Sequence, residues 1–442
     1  MANAMQPLPS TIDIVIIGGG PAGLACALVL ASAGVPFLLL DALQEGQNES
    51  RAAVVHAYTL EQLEDVAVSD AIVEQGIKMR VLQPLGDSER VLGRMDIGKA
   101  LEKHTKYPYA LLVPQCDVEH ILEERLKALG GLVHRERRVL SIEDTEEGIV
   151  VSLEGGERVR ATRAVVGTDG ARSVVRTGAG ITFRDPHTGK PSEHASDQDL
   201  QIVLADTLLA EPLPQNLAPD CLWPILDARG FLLIIPLRSS VVPTPAGTHL
   251  FRVAATLPPG EEAPHSPDID YVQHLLDSRG PGHATGATDK ARVAGIASGS
   301  RYRVRSALAD SFAKRLPRSG AWIALAGDAG HVHSPAGAQG MNLGLCDGLL
   351  LGRTLAAANG DLERYATIRR RAAGDVIQFV GRITALAGGS FFMRFWFAAR
   401  VRDALLGIFL ALPGVQSAVA WNLSGLVHRD ETSRALSAQT LR

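Results

Sequence analysis

The chain has 442 residues, and its 44 Lys and Arg nearly balance 48 Asp and Glu. That length buries a large core and suits two or three domains, while the even charge and the lack of a basic run argue against a nucleic-acid surface. Four scattered cysteines without a C-x-x-C pair argue against a redox disulfide or a metal site, and the N-terminal residues lack the pattern of a signal peptide, so a cytoplasmic setting is expected.

The first element is the most informative. Thr11–Ile17 reads as a strand buried on both faces, followed by a glycine turn and a helix opening at Pro21. Gly18, Gly20 and Gly23 stand at G-x-G-x-x-G spacing. The first permits a tight turn, the second admits a pyrophosphate, and the third lets helix and strand pack closely. A second apolar run from Val35 ends in Asp41, whose carboxylate is placed to accept hydrogen bonds from an adenosine ribose. Strand, turn, helix, strand and terminal acid together predict a dinucleotide site.

Further along, Arg51 follows the second strand on a loop where a guanidinium can meet a diphosphate. Helical patterning begins near Thr59. Short paired strands are expected at Arg80 and Arg90, and another helix carries Asp117 as its expected N-cap, with Gln115 just ahead of it. Residues 138–166 alternate strand and turn signals and close on a buried strand leading to Asp169 and Gly170. From 186 to 314 the pattern changes to strand-like runs at 201, 231 and 250 separated by proline-rich turns, which predicts an antiparallel sheet. Arg301, Arg303 and Arg305 alternate along one strand, so Tyr302 faces the other way, toward a pocket. Ile323–Asp328 returns to buried parallel-strand character and leads into Gly330-His-Val-His-Ser-Pro-Ala-Gly-Ala-Gln-Gly-Met-Asn342. The expected fold class is α/β, with a discontinuous Rossmann-like dinucleotide-binding domain (1–185 and 315–380, with an excursion near 80–105). An antiparallel-sheet domain (186–314) is inserted, and helices fill 381–442. Residues 404–427 carry no charge, and two short helices packed on the first domain are expected there, with peripheral membrane contact through 391–427 as the alternative.

The order of G-x-G-x-x-G, D-G, G-D, H-S-P and Q-G-M-N resembles the single-component FAD-dependent aromatic hydroxylases, the group A flavoprotein monooxygenases, over residues 12–355. The resemblance implies FAD as cofactor, NAD(P)H and O2 as co-substrates, and a small aromatic or polyketide-like substrate hydroxylated through a C4a-hydroperoxyflavin. It implies that Gly18, Gly20, Pro21, Ala22 and Gly23 hold the diphosphate, Asp41 the ribose, and Arg51 and Gln115 the diphosphate and ribityl chain. Val139 is a further cofactor position, Asp169 lies in a segment shared with the nicotinamide, and Asp328 bonds a ribityl hydroxyl. Pro335 lines the ring near C4a, and Gly340, Met341 and Asn342 present backbone to its pyrimidine edge. His56 borders the ring as a candidate base, with a buried histidine bonded to backbone as the plainer reading. His331 and His333 are expected to cap or line the flavin turn rather than bind metal. Departures from the family pattern are Ala53, where the phenol hydroxylase branch carries aspartate, and Gly330 and Ala338. The competing functional readings are a membrane-associated flavin epoxidase and a non-catalytic flavin-binding protein.

Overall fold

The computed structural model describes residues 7–46, 52–86, 90–192, 200–214, 217, 221–227, 229–257, 261–282, 290–335, 337–387, 403–405, 407–408 and 412–429. Two sheets organise them. The first is built around β1 (Thr11–Ile17), β2 (Leu38–Leu40), β3 (Val133–His134) and β6 (Arg158–Gly167), which run parallel in the order β3-β2-β1-β6. Strand β12 (Trp322–Leu325) extends this parallel core along the C-terminal half of β6, after some 150 residues of intervening chain. The first half of β6 pairs instead with an antiparallel meander, β4 (Val139–Thr145) and β5 (Gly148–Leu153). The apolar runs of β1, β2, β6 and β12 are buried in the main hydrophobic core.

Four helices serve this sheet: α1 (Pro21–Ser32), α3 (Gln115–Ala128), α5 (Gly340–Ala356) and α6 (Leu362–Ala387). Helix α3 begins at Gln115 with Pro114 as its N-cap, three residues earlier than the expected Asp117. Asp117 has a different task. Its buried carboxylate accepts from Ser239 Oγ at 2.6 Å, from Ser240 N and Oγ at 2.7 Å, and from Gln75 Nε2 at 3.2 Å. It therefore latches the second domain onto the first.

That second domain is an antiparallel sheet, β11-β7-β10-β9-β8, made of β7 (Gln201–Ala210), β8 (Trp223–Asp227), β9 (Gly230–Pro236), β10 (Thr248–Thr256) and β11 (Val293–Arg303). Leu85–Gly86 adds a parallel edge strand beside β8, so the excursion near 80–105 reaches this sheet. Within the excursion, Val81–Leu82 pairs with Met95–Asp96, while the Arg90 run contributes a single bridge through Val91. One face of the sheet packs on α4 (Ile269–Arg279) through Val203, Phe251, Val253 and Val272. The alternate residues face the first domain. At the base of α4, Arg279 grips Asp227 through Nε (2.6 Å) and Nη2 (3.2 Å) and donates Nη1 to Thr256 O (2.7 Å), so each arm of this buried guanidinium is bonded.

Near the C-terminus, α7 (Pro413–Leu423) lies against residues 97–101 and the turn before α5. Gln339 Nε2 donates to Leu423 O at 2.9 Å, Tyr58 N to Ser424 O at 3.0 Å, and Arg429 pairs with Glu61. The contacts of Leu423, Ser424 and Arg429 tie this end of the chain to the first domain, whereas Leu405, Ile408 and Leu412 are exposed, and among the described residues no helix is long and apolar enough to cross a membrane. Residues 391–402 lie outside the described residues.

Candidate active site

The turn after β1 is built on glycine for reasons visible in the backbone. Gly18 adopts φ +109°, and a Cβ there would sit 2.3 Å from Thr168 O. A Cβ on Gly23 would sit 1.9 Å from Gly18 O, whereas one on Gly20 meets nothing within 4 Å. Gly18 and Gly23 are therefore demanded by the protein itself, and Gly20 alone faces open space. It caps α1 without a side-chain hydrogen bond, so the first N–H groups of that helix are directed outward with the positive end of its dipole.

A second helix terminus is brought to the same end. Helix α5 carries Gly344, Gly348 and Gly352 one turn apart. Their Cβ positions would lie 3.6 Å from Ala22 Cβ, 2.1 Å from Ala22 O and 2.7 Å from Val29 Cβ respectively. The contacts advance together along both helices, so α1 and α5 run parallel at backbone contact and begin at the same edge of the sheet. The N-terminus of α5 at Gly340 also has no side-chain cap and nothing within 4 Å of its Cβ position. Two uncapped helix N-termini flanking open space form an anion cradle, and these residues fit a diphosphate and an electron-rich ring edge.

Asp41 ends β2 beside this cradle. It accepts from Gly19 N at 2.6 Å and Leu43 N at 2.8 Å, and the Arg135 guanidinium lies 3.4 Å from Oδ1. The carboxylate braces the glycine turn and retains lone pairs for ribose hydroxyls. Asp41→Ala is expected to weaken FAD by ~10- to 100-fold, the loss of a charged hydrogen bond of about 1.5–3 kcal/mol. Fluorescence titration of the apoprotein reads this, and unchanged affinity would place the ribose elsewhere.

The remaining expected cofactor residues divide by geometry. Arg51 lies outside the described residues. Gln115 N donates to Ala52 O at 3.1 Å, which brings the loop after Arg51 to the start of α3, and Gln115 Nε2 donates to Glu119 Oε1 at 2.7 Å. Val139 is buried at the start of β4, two residues beyond Arg137, whose N–H donates to Asp41 O. Asp328 is exposed at the mouth of the β12 turn. Asp169 differs from expectation. Its carboxylate accepts from Ser173 Oγ at 2.5 Å, Val174 N at 2.7 Å and Val175 N at 3.2 Å, so it caps the short helix behind it. Burial raises its pKa against those hydrogen bonds. The carboxylate is thus engaged by the helix that follows the D-G segment. Sequence reading passed over Arg176, which stacks on Phe183 and donates Nη1 to Ala171 O and Ala329 O, joining the D-G and G-D segments. Its signal was its place seven residues after Asp169.

At the start of α5, Asn342 is a clamp. Its Oδ1 accepts from His56 N at 2.8 Å and its Nδ2 donates to Val54 O and Ala338 O. His56 Nε2 donates to Gly337 O at 3.0 Å, and burial pushes its pKa down to about 4. With that proton committed to a carbonyl, His56 holds the turn as a buried histidine bonded to backbone. Pro335 opens the turn, half-buried, and Ala338 closes it at φ +52°. A left-handed alanine costs about 1–2 kcal/mol, strain of the kind held at functional sites. Tyr302 donates to His333 O at 3.0 Å, so it braces this turn from the sheet side.

Beneath the turn lies a network the sequence did not disclose. Asp347, fully buried in α5, accepts from His331 Nε2 (2.8 Å), Gly327 N (3.0 Å) and Arg369 Nε (2.5 Å). Burial opposes its ionisation, but Arg369 and His331 outweigh it and hold the carboxyl below the usual range. His331 in turn stacks between Phe312 and His333. Among the described residues no group of three or more His, Cys, Asp or Glu could hold a metal ion.

His56, His333 and His428 are each pushed down to about 4, chiefly by burial. They stay neutral when folded and gain protons near pH 6.5 when unfolded, so stability is complete above 6.5 and falls as pH drops toward 4. Each imidazole contributes about 3 kcal/mol. Denaturant unfolding across that window should show uptake of about three protons per molecule near pH 5, and a flat profile would refute it.

The FAD binding domain family model matches residues 11–380, most of the chain. The chain belongs to this family, the FAD-dependent aromatic monooxygenases. It is 30% identical to the uncharacterized aromatic compound monooxygenase YhjG of Bacillus subtilis, over 97% of this chain and 78% of that one. It is also 30% identical to the 12-dehydrotetracycline 5-monooxygenase/anhydrotetracycline 6-monooxygenase of Streptomyces rimosus, over 83% and 68%. In fold it is similar to the crystal structure of p-nitrophenol 4-monooxygenase PnpA from Pseudomonas putida, with a TM-score of 0.75, 23% identity, and 95% and 99% of the two chains covered. FAD is the cofactor of this monooxygenase.

Proposed function

We propose that this monooxygenase takes its electrons from NAD(P)H and inserts one atom of O2 into a phenolic or fused-ring, polyketide-like substrate. When bound, FAD supplies hydride acceptance from the nicotinamide and activation of oxygen. The chain supplies the rest. The observation that carries the reading is the parallel pair α1 and α5, whose uncapped N-termini open on one cradle at Gly20 and Gly340. Gly18, Gly20, Gly23 and Asp41 bind the adenosine and diphosphate, with Gln115 and Val139 along the same edge and Arg51 as a further diphosphate ligand. Asp328 holds the ribityl chain. Pro335 lines the ring, and Gly340, Met341 and Asn342 offer backbone N–H groups where reduction places negative charge, worth about 0.3–2 kcal/mol per helix terminus. Apolar residues of the second sheet and α7, including Leu208, Leu233, Ile235, Leu237 and Leu423, cluster around this turn and exclude water from the ring. The named activities of the relatives on aromatic compounds and a tetracycline intermediate support the substrate class.

Phenolic and polyketide compounds are to be screened for faster NAD(P)H consumption by the yellow holoprotein, with mass spectrometry for gain of one oxygen. A flavin-replete protein whose NAD(P)H consumption no aromatic compound accelerates would overturn the reading in favour of a non-catalytic flavoprotein.

A further inference from the structure

Just ahead of α7 the chain presents an apolar surface to solvent. Residues 403–405 and 407–408 are helical and pack on the excursion near 80–105. A Cβ on Gly407 would sit 2.8 Å from Leu92 O, and one on Gly86 would sit 2.6 Å from Asp403 Oδ2. Residues 403 and 407 stand one turn apart, so they define the packed side of this helix. Leu405 and Ile408 lie on the other side, 61% and 64% exposed. Leu412, the N-cap of α7, is 51% exposed, and Val91, beside the contacted Leu92, is 50% exposed. Among the described residues only one other large apolar side chain, Leu140, is exposed to half or more, so the exposed apolar area is concentrated here.

The charges beside this surface say what it fits. Asp403 is turned to the packed side, toward Gly86, and residues 404–427 carry no charge at all. Arg90 and Arg94 are exposed on either side of Val91, and neither forms an ion pair among the described residues. The sequence just before the helix joins Phe391, Phe392, Phe395, Trp396 and Phe397 to Arg394, Arg400 and Arg402. Aliphatic tips rimmed by guanidinium groups, next to a Phe, Trp and Arg stretch, suit a layer of lipid headgroups. A second copy of the chain fits less well. A stable interface takes roughly 20–30 residues a side, far more than this group offers. A two-fold contact through it would also bring each arginine no acidic partner from the patch.

We propose that Val91, Leu405, Ile408 and Leu412, together with Arg90 and Arg94, dock the protein on the surface of an anionic lipid membrane. The aliphatic side chains enter the boundary of the acyl layer, and the two guanidinium groups meet phosphate oxygens of anionic headgroups. The contact is with one leaflet, in keeping with the lack of a spanning helix among the described residues. Docking of this kind is independent of which substrate the enzyme takes.

The test is co-sedimentation of the holoprotein with vesicles of phosphatidylcholine alone or of equimolar phosphatidylcholine and phosphatidylglycerol. The wild type should partition onto the anionic vesicles at least ~10-fold more strongly, and high salt should weaken that preference. Leu405→Ser/Ile408→Ser should lose ~10-fold or more of the partitioning onto anionic vesicles. Arg90→Gln/Arg94→Gln should lose most of the preference for them. Both variants replace exposed side chains, so each should keep its flavin and its thermal midpoint. The two wild-type arms are decisive even without a variant: no binding to anionic vesicles, or equal binding to both kinds, overturns the docking surface. Undiminished binding by the folded serine variant overturns it as well. Reversible dimerisation of the wild type in sedimentation velocity, abolished by the same two serines, would give the surface to a second copy and overturn the lipid assignment.

Discussion

Asp347→Ala should lower the unfolding free energy of the apoprotein by about 3–5 kcal/mol, because it strands Arg369 as an uncompensated buried charge. The carboxylate is the shared acceptor for Arg369, His331 and the Gly327 N–H, and each partner comes from a different element. Its removal should loosen the turn bearing Asp328 as well as the packing of α5 on α6. Asp347→Asn keeps the shape and part of the hydrogen bonding, so its loss should be smaller. Urea unfolding of apoprotein measures both, and a change below about 1 kcal/mol for the alanine variant would show that the network carries no net stability.

Gly20→Val should yield a stable, colourless protein. A Cβ at Gly20 touches nothing within 4 Å, and its φ of −77° with ψ −173° is extended backbone that valine adopts readily. The apoprotein should therefore keep its stability to within about 1 kcal/mol. The same branched side chain occupies the space into which the α1 N–H groups point, so flavin binding should be abolished. The pairing of unchanged thermal unfolding with lost flavin absorbance is what separates this from a folding defect. A variant that purifies yellow would place the diphosphate away from this turn.

The parts of the site legible in sequence were those written in one stretch of chain. The G-x-G-x-x-G turn, the acid ending β2 and the Q-G-M-N helix start each depend on local backbone geometry, so spacing alone carries them. The discontinuous first domain was legible because Ile323–Leu325 repeats the doubly buried strand pattern of β1. What stayed hidden depends on meetings between distant elements. Asp347 looks like a stray acid in an apolar helix until His331 and Arg369 are brought to it. The glycine step at 344, 348 and 352 was a readable signal of close helix packing that went unread. Asp117 was misassigned as a cap because cap-type residues mark helix starts on average, whereas Pro114 set this one and freed the carboxylate for Ser239 and Ser240. Asp169 shows the same limit, since its polar atoms are committed to Ser173 and to the backbone of the helix that follows.

The glycine-paired helices carry one last implication. Packing α1 and α5 side by side and parallel sets two like poles next to each other, an arrangement whose self-repulsion grows as the axes close. Each glycine that permits the approach also sharpens the repulsion at the shared tip. A pyrophosphate dianion seated there turns it into mutual attraction. The cofactor is thus a counter-ion of the architecture as well as a reagent, and losing it should slacken the helix pair at its mouth first.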